Sequence, residues 1–160
     1  ICTTYVHQHL KEGDEIIING PYGDFFLRDT DKHIIFIAGG SGMAPIKSML
    51  LDMEKKGITR KASYFFGARS KRDLFLLDEM RALEEKMPNF TFIPALSEPQ
   101  EEDNWDGEVG LITDVVKRMV SEGANSEAYL CGSPGMIDAC VKVLDEVGVL
   151  PENIFYDKFS

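Results

Sequence analysis

The sequence predicts an α/β domain: a five-stranded parallel sheet with helices on both faces, preceded by the tail of a β-rich domain. Three observations carry this reading. From His33 onward, short apolar runs rich in β-branched and aromatic residues alternate with helical patterns, which implies a parallel sheet covered on both sides. Two of the strand-to-helix junctions, Gly39–Pro45 and Cys131–Met136, are glycine-rich. Residues 1–30 lack the alternation and do not look like the start of such a sheet.

Residues 1–30 therefore read as the C-terminal remnant of an upstream domain, and 31–160 as the α/β domain itself. Thr3 to Leu10 predicts one short helix, Gly13-Asp14 a turn and Glu15-Ile16-Ile17-Ile18-Asn19 a strand. Gly20-Pro21-Tyr22-Gly23 breaks that strand before Phe25-Phe26-Leu27, and a linker is expected near Arg28–Lys32. Strands are expected at 33–38, 62–67, 90–95, 127–131 and 153–157, with a helix after each of the first four. The first helix repeats Met43, Ile46, Met49, Leu50 and Met53 at three- and four-residue steps and stops at Gly57. For the second, Ser70-x-x-Asp73 predicts a capping box, with Leu74, Leu77, Met80 and Leu83 as its apolar stripe. Thr113 is the expected cap of the third, which carries Val116, Met119 and Val120. The fourth opens at Ser133-Pro134 and buries Ile137, Cys140, Val141, Leu144 and Val147 before Gly148.

In an open sheet of this kind ligands sit beyond the carboxyl ends of the strands, so the turns after the strands hold the functional candidates. Gly39-Gly40-Ser41-Gly42-Met43-Ala44-Pro45 joins a buried strand to a helix N-terminus with little side-chain bulk. Exposed N–H groups and the positive end of the helix dipole favour a phosphate there. A close packing point between strand and helix is the competing reading. The usual G-x-G-x-x-G fingerprint is incomplete, because Pro45 replaces its third glycine. The next strand also ends in Gly67-Ala68-Arg69-Ser70, without an acidic residue for ribose hydroxyls. Arg69 can bind a nucleotide phosphate or stack on adenine, or be a solvated surface arginine. Leu96–Gly107 is an acidic loop holding Trp105; Glu98, Glu101, Glu102, Asp103 and Asp106 form a solvated face or a partner-facing patch. Cys131-Gly132-Ser133-Pro134-Gly135-Met136 is a second corner that exposes backbone at the same sheet edge. Cys131 lacks a His–carboxylate pair to make it a nucleophile; a buried thiol or a small side chain against a planar ring are the other readings.

Composition excludes several classes. Over 160 residues the formal net charge is −10, which argues against nucleic acid as a partner. Cys2, Cys131 and Cys140 form no C-x-x-C pair, so no metal or iron–sulfur site and no disulfide framework is expected, and a cytoplasmic location fits reduced thiols. His7, His9 and His33 read as surface or packing residues. No apolar run approaches the roughly 20 residues of a membrane span, so no direct membrane insertion is expected. With no initiator Met, and with Ile1 opening inside an apparent element, the chain is expected to be a piece of something longer.

Taken together, Gly20-Pro21-Tyr22-Gly23, Gly39-Gly40-Ser41-Gly42-x-x-Pro45, Gly67-Ala68-Arg69-Ser70, Cys131-Gly132-x-Pro134-x-Met136 and Asp157-Lys158-Phe159 resemble the ferredoxin–NAD(P)⁺ reductase superfamily. Asp103-Asn104-Trp105-x-Gly107-x-x-Gly110 and the Asn153-Ile154…Phe159 ending look like the FAD-carrying members of that superfamily found in Na⁺-translocating NADH:quinone oxidoreductases. The resemblance implies an NADH-dependent flavoprotein whose upstream β-barrel binds FAD, with residues 1–30 as the barrel's last portion and Thr3 at the flavin diphosphate. It implies NAD(H) pyrophosphate at Gly39–Pro45, adenosine ribose near Gly67–Ser70, and nicotinamide bordered by Cys131, Gly132, Ser133, Pro134 and Met136. Phe159 matches the aromatic that covers the flavin ring, and Asp157 the acidic residue that assists some members. Cys131, Asp157 and Phe159 are thus the candidates beside the hydride transfer. Electrons would leave singly for a [2Fe–2S] centre outside this chain and then an acceptor protein or complex.

Two other readings stay open: the reductase component of a multicomponent oxygenase, and a nucleotide-binding or sensing module without redox turnover. A Ser/Cys hydrolase lacks the G-x-S-x-G turn and a His partner. NADH is expected over NADPH, although Arg69, Lys71 and Arg72 are close enough in sequence to meet a 2′-phosphate.

Overall fold

The computed structural model describes residues 2–121 and 123–159, so Ile1 and the features expected there lie outside the described residues. The order is α1 (Cys2–Gln8), β1 (His33–Gly39), α2 (Met43–Lys56), β2 (Ala62–Ala68), α3 (Leu77–Lys86), β3 (Phe90–Leu96), β4 (Glu108–Val109), α4 (Ile112–Met119), β5 (Ser126–Gly132), α5 (Pro134–Glu146) and β6 (Ile154–Lys158). The strands form one parallel sheet in the order β4-β3-β2-β1-β5-β6. It has six strands rather than the expected five. The addition, β4, is two residues long and pairs only with Ala95 and Leu96, too short to show any periodicity.

Alternate residues of each strand enter opposite cores. Ile34, Phe36, Tyr64, Phe66, Phe92 and Tyr129 meet the apolar stripes of α2 and α3 on one face. Ile35, Ile37, Phe65, Ile93, Ala128 and Leu130 meet α4 and α5 on the other. On the first face Phe25 lies edge-on to Tyr129 of β5 at 6.2 Å, Tyr129 stacks on Phe155 of β6 at 5.1 Å, and Phe25 and Leu27 pack against that core.

Four local expectations change. Ser70 and Asp73 do form a capping box, but it closes a single 3₁₀ turn at Lys71–Asp73, and α3 starts only at Leu77, after Leu76 has taken φ 56°. α4 begins at Ile112 with Leu111 as its N-cap, so Thr113 lies inside the helix; burial of Ile112 against Gly67 sets that start. Residues 15–19 form no strand: Ile17 is 95% exposed, and a strand needs a ladder partner that the described residues do not offer. The expected barrel tail is therefore absent as β structure among the described residues. The expected first helix forms as α1, and Gly57 ends α2 in the left-handed conformation. Among the described residues no helix is long and apolar enough to cross a membrane, and no three His, Cys, Asp or Glu side chains group as metal ligands.

Candidate nucleotide-binding site

The order of the strands reverses at β1, whose chain-order successor β2 lies on one side and β5 on the other. Crevices open beyond the carboxyl ends of strands at such a point. The two glycine corners lie at this point, after β1 and after β5. After β1, Gly40–Gly42 makes a 3₁₀ turn that runs straight into α2, whose N-cap Gly42 offers no side-chain cap. Gly40 has φ +54° with nothing within 4 Å of a Cβ, and Gly40, Ser41 and Ala44 are exposed. Gly42 is buried, and a Cβ there would stand 2.1 Å from the Cys131 carbonyl oxygen. The packing reading of the loop holds at Gly42, and the phosphate reading is left to Gly40 and Ser41. Gly42 lets two backbones touch; Gly40 and Ser41 are exposed beside a helix N-terminus with no side-chain cap, although the Met43 N–H already donates to the Gly40 carbonyl.

After β5, Cys131 and Gly132 are buried while Ser133, Pro134 and Gly135 are exposed. Ser133 caps α5, accepting from the Met136 N–H at 3.4 Å, and Pro134 occupies its first turn. The Met136 thioether lies over both corners, at 3.0 Å from a Cβ built on Gly39 (Sδ) and 2.6 Å from one built on Gly132 (Cε). Met43 points inward, where its sulfur accepts from the Tyr64 hydroxyl at 3.3 Å, while Pro45 is half-buried. Burial, and next the Asp157 carboxylate, push the Cys131 thiol up to about 11. At neutral pH it is a neutral, uncharged wall rather than a thiolate. Asp157 is the register partner of Cys131 on β6, and the Phe159 N–H donates to the Gly132 carbonyl at 3.0 Å. Strand pairing thus brings Cys131, Asp157 and Phe159 together.

The corner after β2 builds a separate cleft of about 500 Å³ with the loop after β3. Two backbone bonds tie the loops, Ser97 N–H to the Ala68 carbonyl at 3.0 Å and Glu98 N–H to the Arg69 carbonyl at 2.8 Å. The Arg69 guanidinium donates to Glu98 at 2.8 Å, which raises its pKa, Lys71 donates to the Asp103 carbonyl at 2.6 Å, and Arg72 lies 3.8 Å from Asp73. Ser70 bonds hold Asp73 below the usual carboxylate range. Gly67 packs on Ile112, and a Cβ there would meet it at 2.9 Å. The sequence offers the acidic loop as a solvated face or a partner-facing patch and gives Arg69 no partner; the structure pairs it with Glu98. The available signal was that β2 and β3 are adjacent parallel strands, which places their following turns side by side. Thr3 lies exposed on α1, which shares no hydrogen bond or ring contact with the sheet among the described residues.

Comparison with known proteins gives the family and the fold. A family model described as the oxidoreductase NAD-binding domain matches residues 36–142. The F subunit of the Na⁺-translocating NADH-quinone reductase of Actinobacillus succinogenes is 44% identical over 156 residues, 94% of this chain and 38% of its own length. The same subunit from Klebsiella pneumoniae is 43% identical over 165 residues, 100% of this chain and 40% of its own length. The chain thus spans about two fifths of the length of these curated relatives. Among solved structures, the Amycolatopsis cytochrome P450 reductase GcoB superposes with a TM-score of 0.83 at 28% identity, over 98% of this chain and 47% of its own. The FAD/NAD-binding domain of the Vibrio cholerae nitric oxide dioxygenase shares the fold, with a TM-score of 0.83 at 22% identity over 97% of this chain and 62% of its own. With the paired glycine corners at the switch point, these matches place the chain in the oxidoreductase NAD-binding domain family, within the ferredoxin reductase-like flavoprotein reductases.

Proposed function

We propose that this chain is the NADH-binding part of a flavin-dependent reductase. The whole protein would pass hydride from NADH to FAD and then single electrons, through a [2Fe–2S] centre outside this chain, to an acceptor protein or a quinone-reducing complex. The observation that carries the reading is the contact of the two glycine corners, Gly42 against the Cys131 carbonyl, with open backbone above Gly40 and Ser41. Residues 1–30 are read as the end of the flavin domain, with Phe25 and Leu27 laid against the α/β unit.

The residues present fit a dinucleotide. Gly39, Gly40, Ser41, Gly42, Met43, Ala44 and Pro45 would form the pyrophosphate loop, held by the α2 dipole and by backbone N–H groups other than those of Pro45, which has none, and Met43, which already donates to the Gly40 carbonyl. Gly67, Ala68, Arg69 and Ser70 would border the adenosine. Cys131, Gly132, Ser133, Pro134 and Met136 would wall the nicotinamide, and Phe159, 39% exposed and tethered to Gly132, would cover the flavin side. Bound there, the nucleotide supplies the hydride and the flavin accepts it. The protein's part is orientation and exclusion of water. A thiol held neutral to about pH 11 by burial gives Cys131 a contact role, not a covalent one. Thr3 would reach the flavin diphosphate from the upstream side.

NADH is favoured over NADPH by the β2–β3 cleft. Arg69 is paired with Glu98, Lys71 with a carbonyl and Arg72 with Asp73, so each cation near a 2′-phosphate already has an acceptor. Glu98→Gln is expected to improve NADPH binding by roughly 2–5-fold, the scale of an exposed charge pair, without tightening NADH. Equal affinities before and after the change would remove Glu98 from the discrimination.

The test is calorimetric titration of this chain with NADH and, separately, NADPH, followed by anaerobic addition of NADH to the full-length protein. Tighter binding of NADH and bleaching of the flavin absorbance support the reading. A full-length protein that binds no nicotinamide nucleotide, or that purifies without flavin, overturns it.

A further inference from the structure

Residues 28–32 have no regular secondary structure, yet their polar groups are held by one guanidinium and one buried carboxylate. Arg60, in the turn before β2, donates from Nε and NH2 to the Lys32 carbonyl at 3.0 and 2.7 Å. It also donates to the Arg28 carbonyl at 2.9 Å and to the Thr30 hydroxyl at 2.9 Å. The same group pairs with Glu127 at 2.6 Å. Glu127, 1% exposed, accepts from the Thr30 hydroxyl at 2.8 Å and from the Tyr129 hydroxyl at 2.9 Å. That Tyr129 oxygen accepts in turn from the Arg28 N–H at 2.8 Å, and Lys32 Nζ donates to Asn153 at 2.7 Å.

From this lock the chain runs along β5 and β6 toward the carboxyl end of the sheet. The Arg28 guanidinium lies 3.8 Å from the centre of the Phe26 ring and 4.8 Å from that of Phe155. Tyr22, Gly23, Asp24 and Phe25 then share a cleft of about 360 Å³ with Phe155 and Asp157. One end of the strap is locked at Glu127; the other stands beside Asp157, the register partner of Cys131. By the strand rise, the lock is about 13 Å from Cys131, so neither Arg60 nor Glu127 reaches the nucleotide corners. A buried ion pair is costly to desolvate and gives little net stability over apolar packing, but it specifies one arrangement of the groups it bonds.

We propose that Arg60 and Glu127 are positioning residues: by immobilising 28–32 they hold residues 20–27, and the flavin domain these continue, in register with the nicotinamide corner. This rests on the reductase reading above. The pair acts on the geometry of hydride transfer and not on nucleotide affinity.

The experiment uses the full-length protein with Arg60→Met, Arg60→Lys and Thr30→Val, the last removing only the bridging hydroxyl. Four quantities are read: NADH dissociation constant, flavin reduction rate at saturating NADH by stopped flow, the long-wavelength charge-transfer absorbance, and melting temperature. Arg60→Met is expected to slow flavin reduction at least tenfold and weaken the charge-transfer band, with NADH affinity changed less than about twofold. Arg60→Lys should recover part of the rate, and Thr30→Val should slow it about threefold. Variants that melt earlier yet reduce flavin at the unmodified rate, well below their melting temperatures, overturn the proposal and leave the pair a fold-stabilising one. Loss of NADH affinity in step with rate overturns it too. If Arg60→Met does not fold, Thr30→Val decides alone. Binding of NADH without flavin reduction in the unmodified protein instead removes the reductase reading, and this inference falls with it.

Discussion

Gly40 and Gly42 stand two residues apart and are glycine for different reasons. At Gly40 the backbone is left-handed in open space, so Gly40→Ala costs about 1 kcal/mol of conformational strain and no clash. At Gly42 the backbone is ordinary, but a methyl group would be driven into the β5 backbone at Cys131. Gly42→Ala is expected to cost about 3 kcal/mol or more in urea unfolding, and a cost as small as that at Gly40 would contradict the packing assigned to it. The buried thiols give a pH signature. Burial pushes Cys131 up to about 11, helped by Asp157, and Cys140 up to about 12. Both folded values lie above the ordinary 9.0, so the contribution is complete below about pH 9. As pH rises further the unfolded chain ionises while the folded one does not. Stability should therefore fall above about pH 9, and a Cys131→Ala, Cys140→Ala double variant should lose the part of that slope below about pH 10, above which the buried Tyr64 and Tyr129 hydroxyls, also pushed up from 10.0, add their own. Alkylation of either thiol at about pH 8 should wait for unfolding. In the full-length protein Cys131→Ala should slow flavin reduction; an unchanged rate leaves Cys131 a packing residue.

At the scale of elements, the strap and the short edge strand were the features hardest to foresee. Arg28–Lys32 reads as a linker, yet it is bonded into the domain, and Phe25 and Leu27 just before it pack on the core that holds Tyr129 and Phe155. The linker's anchoring bonds span 28–121 residues in sequence, beyond the reach of any local pattern. Glu127→Ala would leave Arg60 partly buried without its carboxylate and is expected to cost about 3–5 kcal/mol by denaturant unfolding. Replacing Arg60 and Glu127 together by methionine should cost much less than the single change, since no charge is then left unpaired. A double variant as unstable as the single one would mean that the bonds to the strap, rather than the unpaired charge, dominate. The helices were more legible. Met43–Met53 buries the residues its spacing predicts, and α5 buries Ile137, Cys140 and Leu144 but leaves Val141 and Val147 only half-buried. Ser133-Pro134 opens α5 as its local chemistry dictates. Ser70–Asp73 shows the limit of that reasoning: the capping box is real, but tertiary packing lets it close one turn only.

For the whole molecule, the packing of Phe25 and Leu27 on the core predicts where the chain tolerates shortening. A chain starting at residue 20 should melt within about 2 °C of the present one, because among the described residues none before Phe25 belongs to or packs on the hydrophobic cores. A chain starting at residue 33 uncovers Tyr129 and removes the Arg60 acceptors, and should melt at least about 10 °C lower. Similar melting of both would place the strap outside the folding unit.

The sequence by itself determined the alternating α/β class, the buried stripe of α2 and most of that of α5, and the two glycine corners after the first and fourth α/β-unit strands; for α4 it named Met119, which is 43% exposed, and missed the buried Ile112 and Val115. The features it determined follow from local chemistry: hydrophobic period, β-branched runs, and glycine or proline where a side chain or an N–H is not wanted. It also carried the resemblance to the reductase family, whose NAD-binding model spans residues 36–142. Only the tertiary structure decided that β1 and β5 are neighbours, that Gly42 touches Cys131, that Glu98 meets Arg69 and that Arg60 and Glu127 hold the strap. Each of these joins residues distant in the chain through strand order and register. Strand order is set by how the two cores close around the sheet, which no single segment encodes.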